Sequence, residues 1–262
     1  MADPKLSDAR VLVITGAGIS AESGIATFRG PGGYWRKMDP AKLATEAAFR
    51  SDPALVWEWY RERREQIRGA CPNAAHIAVV ELAATAGDFL LVTQNVDDLH
   101  LRAKWNGRAL APELCVQIHG DIFVTRCSRC DYRTTKRLHA DDAASVPVCP
   151  RCEIALRPGV VWFGESLPPN EVQRVEAFLD GGRADVTIVI GTTALFGYIV
   201  EWAVRGRRAG GELVEINPEE TPLSPHATRA IRGAAAAALP GLVAEWSHSG
   251  LGSSPSRHSV GG

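Results

Sequence analysis

Several things are missing from this 262-residue chain, and each absence narrows its function. Charge of one sign is missing: 29 Lys and Arg stand against 30 Asp and Glu, a formal net charge of −1. No block of like charge compensates, so direct nucleic-acid binding is not expected. A long apolar run is missing as well. The most apolar window, Val186–Val200, is too short and too broken by Gly and Thr to span a bilayer, which argues against a membrane role. The opening "MADPKLSDAR" has no apolar core and does not read as a secretory leader, so a cytoplasmic location is expected. No internal repeat is visible. What remains is an ordinary globular composition, 45% hydrophobic and 23% charged, enough for one large domain or one domain with a smaller insertion.

Four apolar runs read as buried strands: "VLVIT", "DFLLVTQN", "ADVTIVIGTT" and "GELVEINPEE". Helical patterns separate them. In "DPALVWEWYRERREQIR", Asp52 can cap, Pro53 fits the first turn, and Leu55, Val56 and Trp59 recur at helical spacing. "PNAAHIAVVELAATA" and "NEVQRVEAFLD" read as further helices, and "IRGAAAAALPGLVAEW" as a short strand or loop followed by a helix. "LCVQIHGDIFVTRC" alternates, and "GVVWFGE" reads as a short strand ending in a glycine turn. Strands alternating with helices predict an α/β fold, a Rossmann-like parallel sheet with helices on both faces. "TGAG", "TQN", "IGTT" and "INPE" all lie at the C-terminal ends of strands, where such sheets bind ligands.

The turn "GAGISA" fits a dinucleotide pattern at Gly16, Gly18 and Ala21, with Ala17 between the glycines. A tight turn with no ligand would also want glycine there. The breaker-rich loop "GIATFRGPGGYW" follows, and the next strand begins only near Phe89. A first crossover this interrupted is unusual for a dehydrogenase. A glycine-rich loop over the cofactor suits NAD held for cleavage of its glycosidic bond better than NAD held for redox.

Six cysteines occur, four of them as Cys127-x2-Cys130 and Cys149-x2-Cys152. This is zinc-ribbon spacing. Four thiolates fill a tetrahedral ion and leave no position for water, so the metal is expected to be structural. Cys71 and Cys115 read as buried free thiols. A nucleic-acid-binding ribbon is disfavoured because acids offset its Arg and Lys.

Gln94, Asn95 and Asp97 follow a buried strand. They suit a ribose and a carboxamide, though an Asx turn capping the next helix explains Asp97 equally well. His119, in "QIHGD", is either a satisfied structural histidine or a general base.

Taken in order, "GAGISAESGIATFRGPGGYWR", "TQNVDDLH", "IHGD", the two cysteine pairs, "LRPGVVWFGE", "IGTT" and "EINPEE" resemble the sirtuin family from about Leu12 to Leu242. The resemblance implies a Rossmann-like NAD-binding domain from residues 1–33, 87–124 and 155–246. It implies a small domain from a helical insertion, 34–86, and a zinc module, 125–154, and leaves 247–262 as a disordered tail. NAD and an acyl-lysine peptide would meet between the domains of a monomer. His119 would be the base, with Asn95 and Asp97 at the nicotinamide ribose and carboxamide. Gly16 to Arg29 would form the phosphate turn and cofactor loop, with Phe28 over the nicotinamide site and Arg29 beside it. Gly191, Thr192, Thr193, Asn217 and Ala235 would surround the adenosine half. Val161, Trp162, Phe163 and Gly164 would pair with the substrate backbone as an added strand. The implied chemistry releases nicotinamide, transfers the acyl group to ADP-ribose and uses His119 to take a proton from a ribose hydroxyl, without the zinc.

Tyr60 and Arg63, three apart on one helical face, match the Tyr-x-x-Arg pair of sirtuins that remove succinyl, malonyl or glutaryl groups. Arg63 could grip the acyl carboxylate and Tyr60 add a hydrogen bond, with Ala44 leaving room. A solvated charged face in "RERRE", with Arg63 salt-bridged to a nearby Glu, is the plainer alternative. Two departures from the family stand out. Ala26 replaces a usual proline, and "GTTALFGYIVEWA" lacks the proline expected soon after its first three residues, carrying Leu195, Phe196 and Tyr198 instead.

Overall fold

The computed structural model describes residues 5–27, 40–135, 146–182, 184–208, 211–249 and 251. Phe28 and Arg29 therefore lie outside the described residues. Among those described, no helix is long and apolar enough to cross a membrane.

The core element is β1, Arg10–Thr15. It is flanked by β2 (Asp88–Thr93) and β9 (Val186–Ile190), the strands on either side of it in the sheet. Beyond β2 lies β5 (Cys115–Gln117); beyond β9 lie β10 (Glu212–Ile216) and β11 (Arg229–Ile231). The sheet order is β11-β10-β9-β1-β2-β5 and every pairing is parallel. After β1 the chain builds outward through β2 to β5, then returns to start the other half at β9. The order therefore reverses between β1 and β9, and the crevice at that reversal is where an open parallel sheet binds ligands.

The two faces of β1 divide by the two-residue period of a strand. Val11 and Val13 join Leu91, Ile188 and Val214 beneath α4 (Ala74–Thr85) and α8 (Ala235–Ser249). Leu12 and Ile14 join Val92, Val189 and Leu213 beneath α6 (Pro169–Asp180) and α7 (Gly197–Arg208). The Rossmann-like expectation holds, helices covering both faces. α4 moves the expected boundary: Ala75, Val79 and Leu82 pack into the large core, so the helical insertion ends before α4 rather than at residue 86. The C-terminal boundary moves too, since α8 runs to Ser249 and Leu251 is buried against the same core.

The small domain combines α1 (Pro40–Leu43), α2 (Glu46–Ser51) and α3 (Pro53–Gly69) with a three-stranded antiparallel sheet. That sheet contains β6 (Gly120–Cys127), β7 (Arg133–Thr134) and β8 (Leu156–Val160), in the order β7-β6-β8. The strand expected within "GVVWFGE" thus lies earlier, and Val161–Glu165 is a turn. Asp52 caps α3 by accepting from Leu55 N at 2.9 Å, and Pro53 occupies its first position. The buried face of α3 carries Val56, Trp57, Trp59, Tyr60, Arg63, Arg64 and Ile67, whereas Leu55 is exposed. Arg64 ties the helix to β6, donating from Nε to Ile122 O at 2.7 Å and from Nη2 to Thr125 Oγ1 at 3.0 Å. The indole of Trp57 donates to Leu156 O at 2.8 Å, tying the helix to β8.

Candidate active site

At the sheet's reversal point the loops after β1 and β9 touch. Gly16 N donates to Ile190 O at 2.9 Å and Gly18 N to Gly191 O at 2.8 Å. A Cβ on Gly18 would stand 2.6 Å from Gly191 Cα, and one on Gly16 2.7 Å from Thr192 Cβ. These glycines are explained first by loop-on-loop contact. Their amides bond within the protein. The turn they open is a short 3-10 helix, Ala17–Ser23, with Ala21 within it. Glu22, in the same turn, accepts from Ala236 N at 2.7 Å and so places the start of α8, and with it Ala235, beside the glycine turn.

Ser20 is the hub of a buried polar set that the sequence reading did not single out. Its hydroxyl donates to Asp97 Oδ2 at 3.0 Å and accepts from Asn95 Nδ2 at 3.1 Å. His76 Nδ1 accepts from Asn73 N, so its Nε2 carries the hydrogen and meets Ser20 Oγ at 3.3 Å. Asp97 also accepts from Leu99 N at 3.1 Å, the bond an Asx turn makes. Burial raises the Asp97 carboxyl above its usual range. Burial, assisted by the charge of Arg102, lowers His76 to about 4. His100, 4.8 Å from His76 between ring centres, is also held well below its ordinary value by burial. It binds Thr15 Oγ1 at 3.1 Å, and Thr15 donates to Thr93 at 2.9 Å.

His119 sits where β5 leaves the large sheet and β6 enters the small one. Its Nδ1 faces Gln94 O at 2.9 Å. A carbonyl only accepts, so Nδ1 carries the hydrogen and Nε2 presents the lone pair. Burial lowers its pKa, opposed by the Gln94 carbonyl, so the neutral form dominates at pH 7. Gln94 Nε2 reaches across to Thr192 Oγ1 at 3.0 Å, and Asn217 Nδ2 holds Thr192 O at 3.2 Å. Gln94, Asn95, Asp97, His119, Gly191, Thr192 and Asn217 therefore meet at one sheet edge, with Thr193 next to them on the exposed side. Tyr198 joins unexpectedly: its hydroxyl lies 2.7 Å from His119 Nε2, and the Phe196 ring stands 5.7 Å from the imidazole. The sequence signal was present in the segment that departs from the family pattern, but not its target.

On the small-domain side, Trp162 Nε1 donates to Tyr60 Oη at 2.9 Å. Accepting that bond leaves the Tyr60 hydroxyl hydrogen available to donate, and burial pushes the phenol up to about 12. The Arg63 guanidinium lies 4.8 Å over the Trp59 ring. Tyr60, Trp162 and Ala44 share one core cluster and Arg63 is buried beside it, so Arg63 does not lie on a solvated face. The amides of Val161 and Phe163 donate to His119 O at 2.8 Å and Ala44 O at 2.9 Å, and Trp162 N donates to Glu165. Gly164, at φ +86°, completes the turn.

The four paired cysteines converge as expected, their sulfurs all within 4.8 Å of one another. The pairs Cys127–Cys152 and Cys130–Cys149 stand at 3.4 and 3.6 Å. Metal–sulfur bonds of about 2.3 Å in a tetrahedron place sulfurs about 3.8 Å apart, so the donor set fits zinc and leaves no fifth group for chemistry. Cys115 is buried, but Cys71 is exposed, against expectation.

A parallel sheet with a glycine turn and a buried neutral imidazole at its reversal point, joined to a four-thiolate module that fits zinc, defines a nucleotide-binding α/β protein. The Sir2 family profile matches residues 16–196. An NAD-dependent protein deacylase 1 of Archaeoglobus fulgidus is 42% identical over 239 residues, covering 91% of this chain and 94% of that protein. The NAD-dependent protein deacylase of Pyrococcus furiosus is 43% identical over 244 residues, covering 89% and 92%. A solved Sir2 homologue in complex with NAD superposes with a TM-score of 0.79 at 39% identity, over 92% of this chain and 91% of that one. A Sir2 complex with a p53 peptide and NAD+ gives 0.74 at 28% identity, over 90% and 92%. The chain belongs to the Sir2 family.

Proposed function

We propose that this protein removes acyl groups from protein lysines at the expense of NAD, preferring acidic groups (succinyl, malonyl or glutaryl) and acting more weakly on acetyl. NAD-dependent protein-lysine deacylation is the activity of its family, and relatives at about 42% identity carry that name. NAD supplies the ribose that accepts the acyl group. The observation that supports the role of this site most directly is the His119–Gln94 contact of 2.9 Å, which fixes one tautomer and leaves Nε2 as the proton acceptor. From there His119 takes a proton from a ribose hydroxyl, so that the oxygen can attack the acyl carbon. Asn95 and Asp97, held by Ser20, orient the nicotinamide end; Thr192, Asn217 and Ala235 border the adenosine end. Phe28 and Arg29 belong to the cofactor loop in this reading. The zinc ion, held by Cys127, Cys130, Cys149 and Cys152, supplies rigidity to the small domain. The peptide lies along Val161–Gly164.

The acyl preference is supported by Tyr60 and Arg63. A guanidinium presents a planar fork to a carboxylate, and the phenol adds one donor. The test is a panel of succinyl-, malonyl-, glutaryl- and acetyl-lysine peptides, with and without NAD, detecting O-acyl-ADP-ribose by mass. Turnover of acidic acyl peptides ahead of acetyl is expected. Acyl removal that persists without NAD would overturn the reaction, and acetyl turnover ahead of all others would overturn the preference. Nicotinamide release without acyl peptide would favour a second reading, NAD hydrolysis or ADP-ribosyl transfer on the same scaffold.

A further inference from the structure

The lone pair of His119 is already in use. With Nδ1–H fixed on the Gln94 carbonyl, Nε2 has one acceptor direction, and the Tyr198 hydroxyl fills it at 2.7 Å. Burial raises the phenol above its ordinary value, so it remains a donor at neutral pH. Tyr198 is held in turn: its ring stacks on Phe196 at 5.6 Å and 17° and tilts against Trp202 at 5.1 Å. Phe196 also presents its edge to His119, while Leu195 and Phe196 are 58% and 42% exposed. Phe196 lies in the short link that leads into α7; that link starts at Ala194, a non-glycine residue at φ +50°, whereas Tyr198 stands in the first turn of α7 itself. The strained, exposed link lets Phe196 shift at modest cost, and Tyr198 can leave His119 by rotating its side chain without unwinding α7.

We propose that Tyr198 is a positioning residue that caps the base in the free protein, and that an incoming ribose hydroxyl must displace it from His119 Nε2. This rests on the reading of His119 as the base. One nitrogen lone pair cannot accept from two hydroxyls in good geometry, so ribose binding and the Tyr198 contact compete. Tyr198 then rotates about its own side chain, and the Phe196 ring stacked on it moves with it as the ribose enters.

The test measures binding of ADP-ribose and of ADP by titration calorimetry. ADP lacks the second ribose and serves as the internal control. Tyr198→Phe keeps both ring contacts and removes only the competing hydroxyl. ADP-ribose is expected to bind about 3- to 10-fold more tightly to the variant, the range one net hydrogen bond covers, with ADP unchanged. The gain should vanish in a His119→Ala background. Equal changes for both ligands, no change, weaker ADP-ribose binding, or a gain that persists without His119 would each overturn the proposal. The parent reading fails separately, if His119→Ala retains deacylation.

Discussion

Replacing Arg63 with Met separates recognition of the acyl group from the chemistry. Arg63 is 8% exposed and lies over Trp59, so its carbon stem is part of the small-domain packing. Met preserves most of that stem and removes the guanidinium. Loss of the cation–π contact costs about 0.5–2 kcal/mol, a modest fraction of total stability, and should appear as a small drop in melting temperature. A charge-assisted hydrogen bond to a carboxylate contributes about 1.5–3 kcal/mol, so kcat/KM for succinyl-lysine should fall by about 10- to 150-fold. Acetyl-lysine offers no carboxylate and should change by no more than about 3-fold, within the packing effect alone. Tyr60→Phe is a poorer probe, because it would orphan the buried Trp162 N–H, which now donates to Tyr60 at 2.9 Å. The assay is steady-state kinetics on both peptides at saturating NAD, with a melting curve for each protein. An equal loss for both acyl groups would refute the carboxylate role of Arg63.

Three further outcomes are expected. Gly18→Ala places a Cβ 2.6 Å from the Gly191 backbone, so the two loops must separate; a loss of about 1–3 kcal/mol in a urea melt should accompany weaker NAD binding, and an unchanged melt would contradict the close packing. Cys149→Ser, or strong chelation, should loosen the small domain rather than remove a Lewis acid: Trp57, hydrogen-bonded to Leu156 beside the cysteines, should red-shift in emission as activity falls, whereas loss of activity with unchanged emission would argue for a chemical role of the metal. Stability should fall on acidification. His76 has a folded-state pKa of about 4 against an unfolded value near 6.5, so the unfolded chain binds the proton first and stability drains away as pH falls from about 6.5 toward 4. This one group contributes about 2 kcal/mol of loss by pH 5, and His100 acts in the same direction, so urea midpoints at pH 7 and pH 5 that coincide would rule it out.

The central strands were legible because a strand buried on both faces must be apolar along most of its length, as the inner residues of β1, β2 and β9 are. The cysteine quartet was legible because its spacing already matches a tetrahedral ion. Contacts between distant residues were not. Nothing local to Tyr198 indicates that its hydroxyl reaches His119, 79 positions away. Gly16 and Gly18 were visible as glycines, but whether they accommodate a phosphate or a neighbouring loop depends on where β9 ends. Ser20 shows the same limit from inside a recognised motif. Its neighbours in sequence signal the turn, while its partners Asn95, Asp97 and His76 come from other elements. The strand within "VVWFGE" was misplaced because apolar content alone cannot distinguish an extended segment from a turn, here one that buries Trp162 and exposes Phe163.

The doubled passage between the two domains also carries a mechanical consequence. At His119 the chain leaves the large sheet, and at Val161 it is on its way back; Val161 N binds His119 O at 2.8 Å. Just beyond, Gly120 packs so closely on Gly159 O that a Cβ would lie 2.2 Å away, and its φ is +81°. Two crossings are thereby riveted side by side, and a rotation of the small domain that preserves this rivet takes it as fulcrum. The imidazole lies on the fulcrum and the cysteine cluster lies out along β6, at the end of the lever arm. Jaw closure would therefore sweep the cysteine end through the largest arc while the imidazole remains almost stationary, so a change in cleft width would not re-aim it.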